Sequence, residues 1–162
     1  MALSAFASST ILLNNAGTAA DTITLAGVAY TLRAAVGTTA SEVKIGANAT
    51  ATAQNLFDAI NVTPAQSGVT FGSNTVRNPE CRALKIVGAT VTVISGVPGQ
   101  VGNRITLATS SATDVTVGGA TLASGSGSLD ADLLGNLRTM QMPASISEVL
   151  DKVVTGTEVA PS

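Results

Sequence analysis

The chain has 162 residues and a formal net charge of −2; hydrophobic residues make up 45 %, but charged ones only 11 %, where about 25 % is usual. It has no run of Lys or Arg to meet a phosphate backbone, and no histidine, so nucleic-acid binding and Ser-His-Asp, Cys-His or His-ligated metal chemistry are not expected. The single Cys81 can close no intramolecular disulfide, no stretch approaches the ~18 apolar residues of a membrane span, and the first residues lack the basic start of a signal peptide.

Residues 1–20 place Phe6 and Ile11-Leu12-Leu13 beside Ser and Asn, and read as an N-terminal arm whose apolar side chains dock on a neighbouring subunit, the alternative being that this arm and the C-terminal one fold back over their own sheet. A β-rich module is expected over 21–125. Ile23 and Leu25 alternate with Thr22 and Thr24, and Val28, Tyr30 and Leu32 with Ala29 and Thr31. A period of two predicts half-buried strands, with Ala26-Gly27 as the tight turn between them and Tyr30 on the core side. Residues 42–46 read as a short strand. Ala49, Ala53, Leu56, Phe57 and Ile60 recur at helical spacing; Asn48 is the expected N-cap, and Pro64 and Gly68 are expected to end the element.

Residues 63–81, rich in Ser, Asn, Gly and Thr, read as an extended loop with strand character only around residues 69–71. Strands are expected at 83–87 and 90–94 around a Gly88-Ala89 turn, then as a second pair at 104–108 and 114–117, and Gly118-Gly119 turns the chain into a short segment around Leu122. The expected fold class is α+β and β-dominated: mainly antiparallel sheet or sandwich, with one central amphipathic helix and C-terminal helical segments. The C-terminal region, 126–162, begins at a Ser/Gly hinge (124–128) and carries Leu129, Leu133, Leu134 and Leu137 at helical spacing. Ser145 and Glu148 then fit a capping box, ahead of a stripe of Ile146, Val149, Leu150 and Val153. Those four residues, with Phe6, Ile11, Leu12 and Leu13, are the candidate interface.

The candidate chemistry reduces to structure. Cys81 has no His partner and reads as an incidental thiol. Asp130 and Asp132 form an Asp-x-Asp, but Gln141 stands where an EF-hand needs Glu, so the pair reads as capping or solvating the next helix. Gly99-Gln-Val-Gly102 lacks the Lys-Ser/Thr of a P-loop, and no helix is expected after it. Glycan binding would need an aromatic platform that Tyr30 alone cannot supply. No catalytic residue, metal or cofactor is therefore expected, and the chain reads as a non-enzyme.

Five segments together resemble a small β-rich module of tailed-bacteriophage structural proteins. They are the apolar-Gly-x-x-Tyr-Thr hairpin Ala26 to Thr31, the Glu-Val-x-Ile-Gly strand Glu42 to Gly46, the Ala-x-Asn-Leu-x-x-Ala-Ile-Asn helix Ala53 to Asn61, Gly-x-x-Gly-Asn-x-Ile at Gly99 to Ile105, and the Gly-Gly close from Gly118 to Gly125. Within the module, Asn55 and Asn61 are expected to tie the helix to loops, and Asn103 to tie its own turn, through side-chain to backbone hydrogen bonds. The chain departs from the pattern over 63–98, where its loop is longer, and after 125. The resemblance implies a virion structural protein, assembled in the host cytoplasm. Most specifically it implies a capsid decoration or cement protein, binding the major capsid protein or other virion proteins and forming a trimer or dimer. Alternatives are a tail, baseplate or fibre component, or a module that recognises host-surface glycan.

Overall fold

The computed structural model describes residues 5–126, and the account below concerns those residues. Eight strands and one α-helix follow in order: β1 (Phe6–Leu13), β2 (Thr22–Leu25), β3 (Val28–Arg33), β4 (Glu42–Lys44), α1 (Ala49–Asn61), β5 (Cys81–Val87), β6 (Thr90–Pro98), β7 (Leu107–Thr109) and β8 (Val115–Val117). They form two four-stranded sheets, sheet I in the order β5-β6-β1-β8 and sheet II in the order β4-β3-β2-β7. All pairings are antiparallel except β3 with β4. The fold is α+β and sheet-dominated, as the strand and helix periods predict.

Local rules explain most of the elements. Ala26 (φ 51°) and Gly27 (φ 76°) join β2 to β3, and both take the positive φ of a type I′ turn, whose twist matches a hairpin. α1 starts where Asn48 Oδ1 accepts the Ala51 N–H at 2.9 Å. It ends at Val62 (φ 52°), whose N–H bonds the Ala59 carbonyl, so the stop comes before Pro64 and Gly68. Pro64–Gln66 instead forms a separate 3-10 turn.

One hydrophobic core joins the two sheets and the helix. Ile11, Leu13, Val91, Val93 and Val115 come from sheet I; Ile23, Leu25, Tyr30, Leu32, Val43 and Leu107 from sheet II; Ala53, Leu56, Ala59 and Ile60 from α1. Long Val, Ile and Leu runs alternating with Thr supply such a core without Trp.

Several expectations need correction. Residues 5–20 are not a free arm: β1 lies inside sheet I, between β6 and β8. Ile11 and Leu13 are therefore core residues, at 0 % and 1 % exposure, and are withdrawn as interface candidates. The continuous apolar run Ile11-Leu12-Leu13 hid this, because it masks the period of two. The expected pair at 104–108 and 114–117 is also not a hairpin. β7 pairs with β2 in sheet II and β8 with β1 in sheet I, so residues 110–114 cross from one sheet to the other. Phe71 lies in the loop yet is fully buried, and bridges Val43 of β4. The Gly99 to Gly102 segment itself takes up a 3-10 turn, Gln100–Arg104, in keeping with its reading as turn geometry. The C-terminal segments, with Ile146, Val149, Leu150, Val153, Asp130 and Asp132, lie outside the described residues.

Sheet edges are occupied rather than open. Along β4, Lys44 N–H bonds Thr70 O and Gly72 N–H bonds Glu42 O. Along β7, Leu107 N–H bonds Ala120 O, and Thr106 bridges Thr121. β5 is held by Asn61, whose amide donates to Ala83 O at 3.0 Å and accepts from Ala83 N–H at 3.2 Å. β8 is only three residues long. Unpaired edges template aggregation unless they are covered, kept short or charged. This chain has little charge to use; it covers the β4 and β7 edges of sheet II, caps β5 at Ala83 and keeps β8 short.

Candidate functional site

Outward-facing residues follow from the strand period. On sheet I, Ser8, Thr10 and Leu12 of β1 alternate with buried Ala7, Ile11 and Leu13. Their cross-strand partners on β6 are Ile94, Thr92 and Thr90, and Leu12 also faces Thr116 on β8. On β5 the register shifts between Ala83 and Lys85, so one extra residue is inserted. As a result Leu84 and Lys85 are both exposed, with Arg82 and Val87 on either side. The outer face therefore carries Phe6 (40 % exposed), Leu12 (38 %), Leu84 (52 %) and Val87 (68 %) among threonines. The Arg82 guanidinium sits over the Phe6 ring, 5.8 Å from its centroid, a cation–π contact that holds both side chains on this face.

Of the candidate interface residues within the described chain, Phe6 and Leu12 stand on this surface, and Ile11 and Leu13 do not. Arg82, Leu84, Lys85 and Val87 complete it and were not anticipated. The strand at 83–87 was legible, but the bulge breaks the parity that would have assigned its faces.

The outer face of sheet II has different chemistry. Thr22 opposes Thr31, and Thr24 opposes Ala29 and Ala108. Arg33 Nε pairs with Glu42 Oε1 at 3.3 Å beside the exposed Lys44. Among the described residues, no large hydrophobic side chain of sheet II is exposed.

A cleft of about 370 Å³ lies where Pro79, Glu80, Gly96 and Val97 meet Val101, Gly102, Arg104 and Ile105. Gly102 permits the close approach, since a Cβ there would stand 2.6 Å from Ser95 Oγ. Ser95 accepts the Ala7 N–H and donates to Val97 O, stitching β1 to β6 near the irregular end of their pairing. The lining is mostly apolar, with one carboxylate and one guanidinium.

Two buried ionisable side chains, Cys81 and Tyr30, are held neutral. Burial, then the Glu80 carboxylate, pushes the Cys81 thiol up to about 12, far from the thiolate needed for nucleophilic attack. Burial, then Cys81, likewise pushes Tyr30 up to about 12. The Tyr30 hydroxyl makes no well-formed hydrogen bond. Asn78, beside it, is engaged with the Leu25 carbonyl and the Glu80 N–H.

A polar cluster closes the crossing between sheets. Asp114 accepts from Asn15 Nδ2 at 2.7 Å and Thr18 Oγ1 at 2.6 Å, and these hydrogen bonds, with one from Asp21, hold its carboxyl below the usual range. Desolvation, then the neighbouring Asp114, raises Asp21. These donors orient two loops, 14–21 and 110–114, and so fix where β2 and β8 begin. The asparagines act similarly: Asn55 Nδ2 donates to Lys44 O at 2.8 Å, and Asn103 exchanges two hydrogen bonds with Gly125. Asn55 and Asn61 thus tie the helix to strand residues rather than to loops.

No protein-family model and no curated protein matches this chain.

Proposed function

We propose that the chain is a structural subunit of a tailed-phage virion, acting as a capsid decoration or cement protein through non-covalent contacts. The observation that carries this reading is the outer face of sheet I. It leaves Phe6, Leu12, Leu84 and Val87 in the open on one sheet face, while the outer face of sheet II exposes no large hydrophobic side chain among the described residues. Apolar side chains exposed together on one face suit adhesion. The order of hairpin, strand and helix over residues 22–61 also fits the phage module that the sequence resembles. Buried contact stabilises at roughly 25 cal/mol per Å² before association costs, and repetition over a lattice makes weak contacts collectively strong.

The test is the protein content of purified particles from a phage that encodes the chain. A 16.0 kDa band near-stoichiometric with the major capsid band is the expected result. A few copies per particle would move the assignment to tail, baseplate or fibre, and absence from the particle would remove the virion reading. The C-terminal apolar spacing supplies a second attachment element in this reading. Leu150→Asp combined with Val153→Asp should abolish particle binding while the β-sheet circular dichroism persists.

A further inference from the structure

We infer that the outer face of sheet I is a self-association surface, and that its occupant is the same face of a second copy of this chain. Elimination gives the first argument. Copies of a β protein can meet edge to edge or face to face. The β4 and β7 edges are hydrogen-bonded to residues 70–72 and 120–121, Asn61 occupies the β5 edge at Ala83, and β8 offers three residues. The faces offer the broader contact, since the remaining exposed valines among the described residues, Val69, Val76, Val97 and Val101, stand in loops, in a 3-10 turn or at a strand end. Of the two outer faces, sheet II presents threonine and an ion pair, while sheet I presents apolar side chains.

Charge placement gives the second argument. The centre of the face, along β6 and β1, is neutral: Thr90, Thr92, Ser8, Thr10 and Leu12 carry no charge, and Ile94 on the same side is only 6 % exposed. The cations Arg82 and Lys85 stand on β5, an outer strand, as rim residues do around an interface core. A two-fold axis running parallel to the sheets and along the strands would set the β5 of one copy over the β8 of the other. The two cationic rims then fall at opposite borders, and Leu12 meets the neutral centre of its partner.

Size gives the third. Four strands about 4.8 Å apart, each about six residues at about 3.4 Å, present on the order of 400 Å² in projection. Side-chain relief brings the pair to on the order of 1,000 Å² in total, the low end of specific interfaces. A contact of this size falls in the class of transient rather than obligate interfaces, and suits a subunit held finally by a lattice. The inference rests on the adhesive reading above for its biological setting, but not for its test.

Sedimentation velocity on the full chain over roughly 1 µM to 1 mM should show conversion from one chain to two. Leu12→Asp should keep the single-chain mass at every concentration with unchanged circular dichroism, and Thr24→Asp on sheet II should behave as wild type. Leu12→Cys gives a readout that does not depend on an introduced charge. Cys81 is buried and quiet, so a bis-maleimide reaching across the gap of about 10 Å between facing sheets should link assembled Leu12→Cys into a covalent two-chain species, and should not link Thr24→Cys. A wild-type chain that stays single at ~1 mM overturns the inference. So does a Leu12→Asp oligomer, or a Leu12→Cys thiol shielded from maleimide in a monomer, which would mean the chain covers its own face. A chain that pairs through this face and ignores phage heads sustains the inference and removes the decoration reading.

Discussion

Sheets I and II turn similar side chains inward and different ones outward. Both supply Val, Ile and Leu to one core. Outside, sheet II shows Thr22, Thr24, Thr31 and the Arg33–Glu42 pair, while sheet I shows Phe6, Leu12, Leu84 and Val87. Sheet II shows that this fold needs no apolar residue on an outer face, because threonine satisfies the strand backbone equally well. The exposed apolar groups of sheet I are therefore not a requirement of folding. They mark the face where a second surface is expected.

The sharpest way to break this comparison uses neighbours on one strand. Ile11→Ala, on the inner side of β1, should lower stability by about 2–5 kcal/mol through lost burial and the cavity left behind. Leu12→Thr, which gives sheet I the outer chemistry of sheet II, should stay within about 0.5 kcal/mol. Urea melts of the two variants measure the difference. Equal losses would mean that Leu12 is packed as a core residue is, and the two faces would then not be distinct.

A smaller effect is expected at the β5 edge. Asn61→Ala removes both hydrogen bonds to Ala83 and should cost about 1–3 kcal/mol in the same melts. It also frees an edge next to the apolar face, so light scattering should rise on warming, whereas Leu12→Thr should reduce scattering. If Asn61→Ala scatters no more than wild type, edge covering is not what keeps sheet I soluble.

On sheet II, Arg33→Ala should change stability by at most about 1 kcal/mol, because Arg33 is 45 % exposed and its ion pair is screened by solvent. A larger loss would give sheet II an electrostatic role that its exposure argues against.

The smallest effect is a pH dependence at the crossing that joins the sheets. Asp21 is raised, so its ionised form is disfavoured on folding, and that penalty is present at neutral pH and disappears as pH falls through its folded value. Asp21→Asn should therefore melt above wild type at pH 7, with the gap closing on acidification below the ordinary carboxylate range. Asp114 has the opposite sign: its contribution is present at neutral pH and lost as pH falls through a depressed value. Asp114→Asn should melt below wild type at pH 7 and approach it in acid. Parallel Tm–pH curves for Asp21→Asn and wild type would mean that the two carboxyls do not interact.

How much of this was legible depended on whether a signal was local. The β2–β3 hairpin and α1 were readable because alternation, an Ala-Gly turn and an Asn cap all lie within a dozen neighbouring residues. β1 was not, since Ile11-Leu12-Leu13 shows no alternation and its partners, β6 and β8, lie far along the chain. The β7–β8 pairing was misread because adjacency in sequence suggested a hairpin, whereas the intervening residues cross between sheets. On the exposed face of sheet I, Phe6 and Leu12 were picked out by apolarity alone. Arg82, Leu84, Lys85 and Val87 were missed because a bulge sets their direction. Asn61 and Asn103 were recognised as hydrogen-bonding residues, but only the structure shows each gripping both groups of one peptide residue, Ala83 and Gly125.

The place of β1 inside sheet I has a kinetic consequence. β1 leaves a ribosome well before the two strands that flank it; Ala7 meets Ser95 across 88 residues, and Asn14 meets Thr116 across 102. Closing such long loops before any contact rewards them makes folding slow, in the millisecond-to-second range of high-contact-order β proteins. Until residue 117 has emerged, Phe6 to Leu13 has no complete partner and its apolar groups remain open to wrong pairings. The β2–β3 hairpin and α1 have no such wait. A nascent chain should therefore organise around the β2–β3 hairpin and α1, and β1, made before either of its partners, should be among the last strands to find its place.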